Sequence, residues 1–143
     1  TIDEEKKIMR AHINDSFSHV SPVIDTDRIL KARQLVKQVY IDERIEQYIA
    51  DIVFATRYPE QYKLKDFKNY ISFGGSPRAS INLALAARAC AFIKRRGYVV
   101  PEDVREVAAD VLRHRIGLSY EAEASDIKAD DIVKEILNKV EVP

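Results

Sequence analysis

The chain has 143 residues, 23 basic against 23 acidic, with 46% hydrophobic and 32% charged residues. That is about one domain of chain with enough apolar material for a core, and zero net charge speaks against a dedicated nucleic-acid binder. No apolar run approaches the roughly 18 residues that would cross a membrane, the single cysteine excludes an internal disulfide framework, and the charged start TIDEEKKIMRAH does not read as a signal peptide, so a cytoplasmic protein is expected.

Nearly every periodic segment reads as helix. Residues 3–13, DEEKKIMRAHI, form a short charged helix with Ile8, Met9 and His12 on its apolar face. Residues 14–25, NDSFSHVSPVID, read as a loop or linker, rich in Ser, Asp and Pro. Thr26 and Asp27 suit the start of a helix that carries Ile29, Ala32, Val36 and Val39 at helical spacing. Asp42 caps the next helix, in which Ile45, Tyr48, Ile49, Ile52, Val53 and Thr56 give the clearest amphipathic pattern in the chain, ended by Pro59.

A polar-aromatic connection with room for one helical turn follows, and then a helix that opens at Gly74-Gly75-Ser76-Pro77-Arg78. That helix is apolar nearly all round, which predicts the central helix of a bundle, and Cys90 within it reads as a small buried hydrophobe. Gly97 is expected to stop it. Tyr98-Val99-Val100 is expected to be a short extended segment, and Pro101 opens a helix with Val104, Val107, Ala108 and Val111 as its buried stripe. After a second connection, HRIGLSYEAEASD, residues 128–140 form the last helix, with Ile132, Val133, Ile136, Leu137 and Val140 on one face. The expected fold is all-α, a small bundle of about five or six helices.

The charges are unevenly spread. Residues 76–116 hold eight Lys/Arg against four acids, and residues 117–143 hold seven acids against three lysines. Either the two parts neutralise one another or the basic part faces an anion.

Arg78 sharpens that question. A helix N-terminus carries about +0.5 of an elementary charge, so a cation there is unfavourable without a negative partner. Gly74-Gly75 permits a sharp turn, Ser76 is a favoured N-cap, and Pro77 is a favoured first helical residue. Orphan N–H groups and a guanidinium therefore converge at Gly75, Ser76, Pro77 and Arg78, a combination that suits phosphate. A structural ion pair between Arg78 and a carboxylate on a neighbouring helix is the plainer alternative and the commoner arrangement.

GGSPRASINLALAARACAFIKRRGYVVPEDV followed by VLRHRIGL resembles the C-terminal lid domain of MoxR-type AAA+ ATPases. Three spaced motifs carry the likeness: Gly74-Gly75-Ser76-Pro77-Arg78-Ala79, the stretch from Arg96-Gly97 to Pro101-Glu102-Asp103-Val104, and His114-Arg115. The Arg-Gly order at 96–97 departs slightly from the family's Gly-Arg. The resemblance implies that Arg78 is the sensor-2 residue, reaching the γ-phosphate of ATP bound with Mg²⁺ on an upstream core domain. It also implies ring assembly, commonly as hexamers, chaperone-like remodelling of a client, and von Willebrand A-type partners. Residues 1–19 would then be the last helix of the core plus a linker, and residues 20–143 the lid. No G-x-x-x-x-G-K-[ST] phosphate loop occurs in the chain, so it is expected to be a piece of a longer ATPase and inactive alone.

Other residues carry less. His12, His19 and His114 lack metal-like spacing. Lys94-Arg95-Arg96 and Arg57 read as solvated, dipole-compatible helix ends, and His114-Arg115 reads the same way unless it faces the nucleotide or a neighbouring subunit. The competing readings are a helical nucleic-acid-binding module using the basic segment and a plain protein-interaction domain with Arg78 tied up internally.

Overall fold

The computed structural model describes residues 1–14 and 20–143, and it divides into two units, Thr1–Lys31 and Ala32–Pro143. Part of the expected linker, with His19, lies outside the described residues.

In the first unit, α1 (Ile2–Ile13) starts from a capping box. The Thr1 hydroxyl accepts the Glu4 N–H, and the Glu4 carboxylate accepts from the Thr1 ammonium at 2.7 Å. None of its residues is buried; Ile8 and Met9 are exposed. Helix α2 (Thr26–Val36) begins in this unit and ends in the second. Its cap is Asp25 rather than Thr26, with Oδ1 accepting the Arg28 N–H at 2.7 Å. It stops at Val36, so Val39 is buried beyond the helix rather than on it.

The second unit is a helical bundle. Asp42 caps α3 (Glu43–Ala55) through the Arg44 N–H at 3.0 Å, and all six apolar-stripe positions from Ile45 to Thr56 are buried. Two short 3₁₀ turns, Pro59–Tyr62 and Lys65–Tyr70, fill the connection that follows. Helix α4 (Pro77–Ile93) lies between α3 and α5 (Pro101–Leu112), and α7 (Ala129–Lys139) closes over α3 and α5. Ala79, Leu83 and Ala87 of α4 meet a core that includes Val104, Ala108 and Leu112 of α5 and Ile132, Val133 and Ile136 of α7. Three alanines on the buried stripe of α4, counting Ala91, let the helices approach closely.

Three expectations need correction. Helix α4 is not apolar all round in its burial: Ile81 (58% exposed) and Leu85 (48%) face solvent opposite the buried stripe. Gly97 does not stop it. The chain turns at Arg95, which adopts the left-handed conformation (φ 59°), and the Arg95 and Arg96 N–H groups return to the carbonyls of Phe92 and Ala91 at 2.9 Å each, a Schellman motif. The two connections also contain elements that the sequence did not show, a small antiparallel sheet, β1 (Ile71–Phe73) with β2 (Gly117–Leu118), and a short helix α6 (Tyr120–Ala124). The expected extended segment at Tyr98 is present and makes an isolated parallel bridge with Tyr40, held by Tyr40 N–H to the Gly97 carbonyl (2.9 Å) and Val99 N–H to the Tyr40 carbonyl (3.0 Å).

Candidate functional site

The candidate site is the loop through which β1 passes into α4. Sequence physics makes Ser76 the cap of α4, and it does occupy that position, but its hydroxyl makes no capping hydrogen bond. The loop is fixed from outside instead. The Thr56 hydroxyl, fully buried at the C-terminal end of α3, donates to the Val53 carbonyl (2.6 Å) and accepts the Gly75 N–H (2.8 Å). The next residue, Arg57, donates its Nε–H to the Gly75 carbonyl at 2.6 Å. Both polar groups of one peptide residue are thus spent on two consecutive side chains. Gly74 shows how tight the approach is: a Cβ there would lie 2.4 Å from the Thr56 carbonyl oxygen, a contact with backbone that cannot yield.

Arg57 is itself held. Its guanidinium carbon lies 4.9 Å from the centroid of the Phe54 ring, a cation–π arrangement. It is not the solvated helix end that the sequence suggested. The signal was its position, immediately after Thr56 at the end of the strongest amphipathic stripe, but its partner lies 18 residues away.

Arg78 stands at the second position of α4, exposed, and among the described residues it forms no hydrogen bond or ion pair. The surface-carboxylate partner that sequence physics ranked as the commoner case is absent there. Ser76 and Pro77 are exposed beside it, whereas Gly75 is buried. The Arg78 N–H is one of the first-turn donors that no carbonyl of the helix can reach. An exposed guanidinium with orphan donors, on a loop clamped from behind, fits an anionic oxygen group brought from outside.

A second polar cluster joins α4 to α5. Asp103 is fully buried in the first turn of α5. It accepts two hydrogen bonds from Arg96, at 2.7 and 2.5 Å, one from the Val100 N–H at 3.1 Å and one from Lys94 at 3.3 Å, with the Cys90 thiol 3.5 Å away. Burial alone would raise its pKa. The Arg96, Val100 and Lys94 hydrogen bonds together outweigh that and hold the carboxyl at about 2. Lys94 also pairs with Glu106. Lys94 and Arg96 are therefore an internal clamp, whereas Arg95 between them is exposed like the solvated end the sequence suggested. Burial, followed by the hydrogen bond to Asp103, pushes the Cys90 thiol upward, which suits an inert packed side chain.

His114 and Arg115 hydrogen-bond to each other, Arg115 Nη1 to His114 Nε2 at 2.7 Å, and the buried Arg115 Nε–H has no partner among the described residues. The basic and acidic parts of the chain meet in one ion pair, Arg113 with Asp130 at 3.1 Å.

The model of the AAA lid domain family matches residues 65–136, from the turn before β1 through most of α7. The chain belongs to the AAA lid domain family. Its relatives place it as a lid of the MoxR type. It is 38% identical over 121 residues to Chaperone MoxR1 of Mycobacterium tuberculosis, covering 85% of this chain and 32% of that protein. It is 42% identical over 79 residues to Protein MoxR of Paracoccus denitrificans, covering 52% of this chain and 23% of that one. A crystal structure of a candidate ATPase from Cytophaga hutchinsonii superposes with a TM-score of 0.84 at 43% identity, covering 99% of this chain and 43% of that one. The chain thus spans about a third of MoxR1 and less than half of the crystallised protein.

Proposed function

We propose that Arg78 is the sensor-2 arginine of a MoxR-like ATPase and contacts the γ-phosphate of ATP held, with Mg²⁺, on a core domain outside these 143 residues. The observation that carries this is an exposed guanidinium, unpaired among the described residues, at the start of α4. When bound, ATP supplies a terminal phosphate that is present before hydrolysis and gone after it. Arg78 supplies a charge-assisted, bidentate-capable contact that only the first state satisfies. The Thr56–Arg57 clamp on Gly75 holds α4 to α3, so tension on Arg78 passes to the lid as a body.

In this reading residues 1–19 are the end of the core plus a linker, residues 20–143 are the lid, and the assembled protein works in the cytoplasm as a ring that remodels a client, with von Willebrand A-type proteins as partners. This chain alone does not turn over ATP, because it contains no phosphate loop.

The test is ATP turnover by the lid in covalent continuity with its core domain. Arg78→Ala is expected to lower turnover by about tenfold or more, as loss of one charge-assisted hydrogen-bond contact implies. Turnover and ATP response equal to the unmodified protein would remove the sensing role.

A further inference from the structure

Among the described residues no side chain pairs with Arg78, so its position is set by the loop that carries it. We propose that Arg57 is a positioning residue for Arg78, acting by hydrogen bonding rather than by its charge; this rests on the sensor-2 reading of Arg78.

The geometry separates the two roles. Arg57 meets the loop through Nε, which donates to the Gly75 carbonyl at 2.6 Å, three residues ahead of Arg78. Thr56 takes the N–H of the same glycine at 2.8 Å. With both ends of Gly75 fixed, the direction in which Pro77 and Arg78 leave the loop is set by the end of α3. No local cap does this, since the Ser76 hydroxyl makes no capping bond. Gly74 packs against the Thr56 carbonyl, so the loop cannot rotate about that point without a backbone clash. Phe54 lies against the guanidinium and limits its swing. Arg57 forms no ion pair among the described residues, so a carboxylate does not compete for it. Because only the Nε–H is used, the clamp needs a donor four bonds beyond Cα, not a cation.

Side-chain chemistry turns this into a test. Glutamine places an amide nitrogen at the same bond position as arginine Nε and carries no charge. Lysine keeps the charge but puts its nitrogen one bond further. In the full-length protein, steady-state ATP turnover is measured for Arg57→Ala, Arg57→Gln, Arg57→Lys, Arg78→Ala and the Arg57→Ala/Arg78→Ala double variant, each with its thermal unfolding midpoint.

Arg57→Ala is expected to lower kcat about tenfold, as a small misplacement of a phosphate-contacting group does. Arg57→Gln should recover most of the loss and Arg57→Lys little of it. In the Arg78→Ala background, Arg57→Ala should change kcat less than about threefold, because residues acting as one unit are not additive. Rescue by lysine and not by glutamine overturns the proposal, since charge would then be the active property. So does an Arg57→Ala effect of equal size with and without Arg78, or a loss of activity that tracks the unfolding midpoint across all three Arg57 variants. An Arg78→Ala protein with unaltered turnover is a different failure: it removes the sensor-2 reading, and the positioning role with it.

Discussion

Arg95 is one of three non-glycine residues in the left-handed region among the described residues, with Lys63 and Asp126. It holds φ 59° in the left-handed region so that the Arg95 and Arg96 N–H groups can close α4 onto Phe92 and Ala91. A residue with a Cβ incurs about 1–2 kcal/mol in that conformation, and glycine does not. Arg95 is exposed and forms no ion pair among the described residues. Arg95→Gly is therefore expected to stabilise the chain by about 1 kcal/mol, offset slightly by the greater freedom of glycine when unfolded. Differential scanning calorimetry should show a midpoint about 4 °C higher. A lower midpoint would mean that the arginine side chain contributes more than its backbone geometry costs. Gly97 attracted attention in the sequence only because it was the nearest glycine; nothing lies within 4 Å of where its Cβ would be, and its φ is not positive.

The short elements between the helices, and the buried pairing across the α4–α5 junction, were least legible. Periodicity placed α3, α4, α5 and α7 well, because each carries a stripe long enough to repeat several times. It could not reveal β1 and β2, which are three and two residues long, too short for a period of two to show. Nor could it tell that Asp103, suited to the helix dipole, is fully buried one position before Val104. Its partner Arg96 is only seven residues away, but the pairing depends on the turn at Arg95. That buried carboxylate gives the α4–α5 junction a pH signature. Its pKa is about 2 in the folded state, against about 3.9 in an unfolded chain. The group therefore contributes stability that is fully present above about pH 5 and is lost as pH falls from about 4 toward 2. Asp42 and Glu60, also lowered by their hydrogen bonds, add to the slope over the same range. Urea titrations from pH 7 to 2.5 should show stability falling through that window. Asp103→Asn should flatten the fall and lower stability at pH 7 by about 2 kcal/mol, less than the 3–5 of a wholly buried pair because Arg96 and Lys94 are partly solvated. An unchanged pH slope in the variant would place the acid lability elsewhere.

For the molecule as a whole, which carries 23 basic and 23 acidic residues, the question left by the sequence is where the positive excess of residues 76–116 goes. Much of it is absorbed internally. Lys94 and Arg96 serve Asp103, and Arg113 serves Asp110 and Asp130. Arg105 reaches the Leu137 carbonyl at 2.5 Å and ties α5 to the end of α7. Arg78, Arg88, Arg95 and Arg115 form no ion pair among the described residues. Arg78 and Arg95 sit at opposite ends of α4, roughly 25 Å apart at 1.5 Å per residue. Scattered single cations do not follow the closely spaced phosphates of a duplex, and without several simultaneous contacts there is little counterion release to drive binding. One arginine at a clamped loop, by contrast, suits a single triphosphate. Fluorescence anisotropy with a 20-base-pair duplex in about 0.15 M salt should accordingly give a Kd no tighter than about 10⁻⁴ M, with a shallow dependence on salt. A micromolar Kd that weakens steeply as salt rises would show that these arginines act together on a polyanion, and would return the nucleic-acid reading to the front.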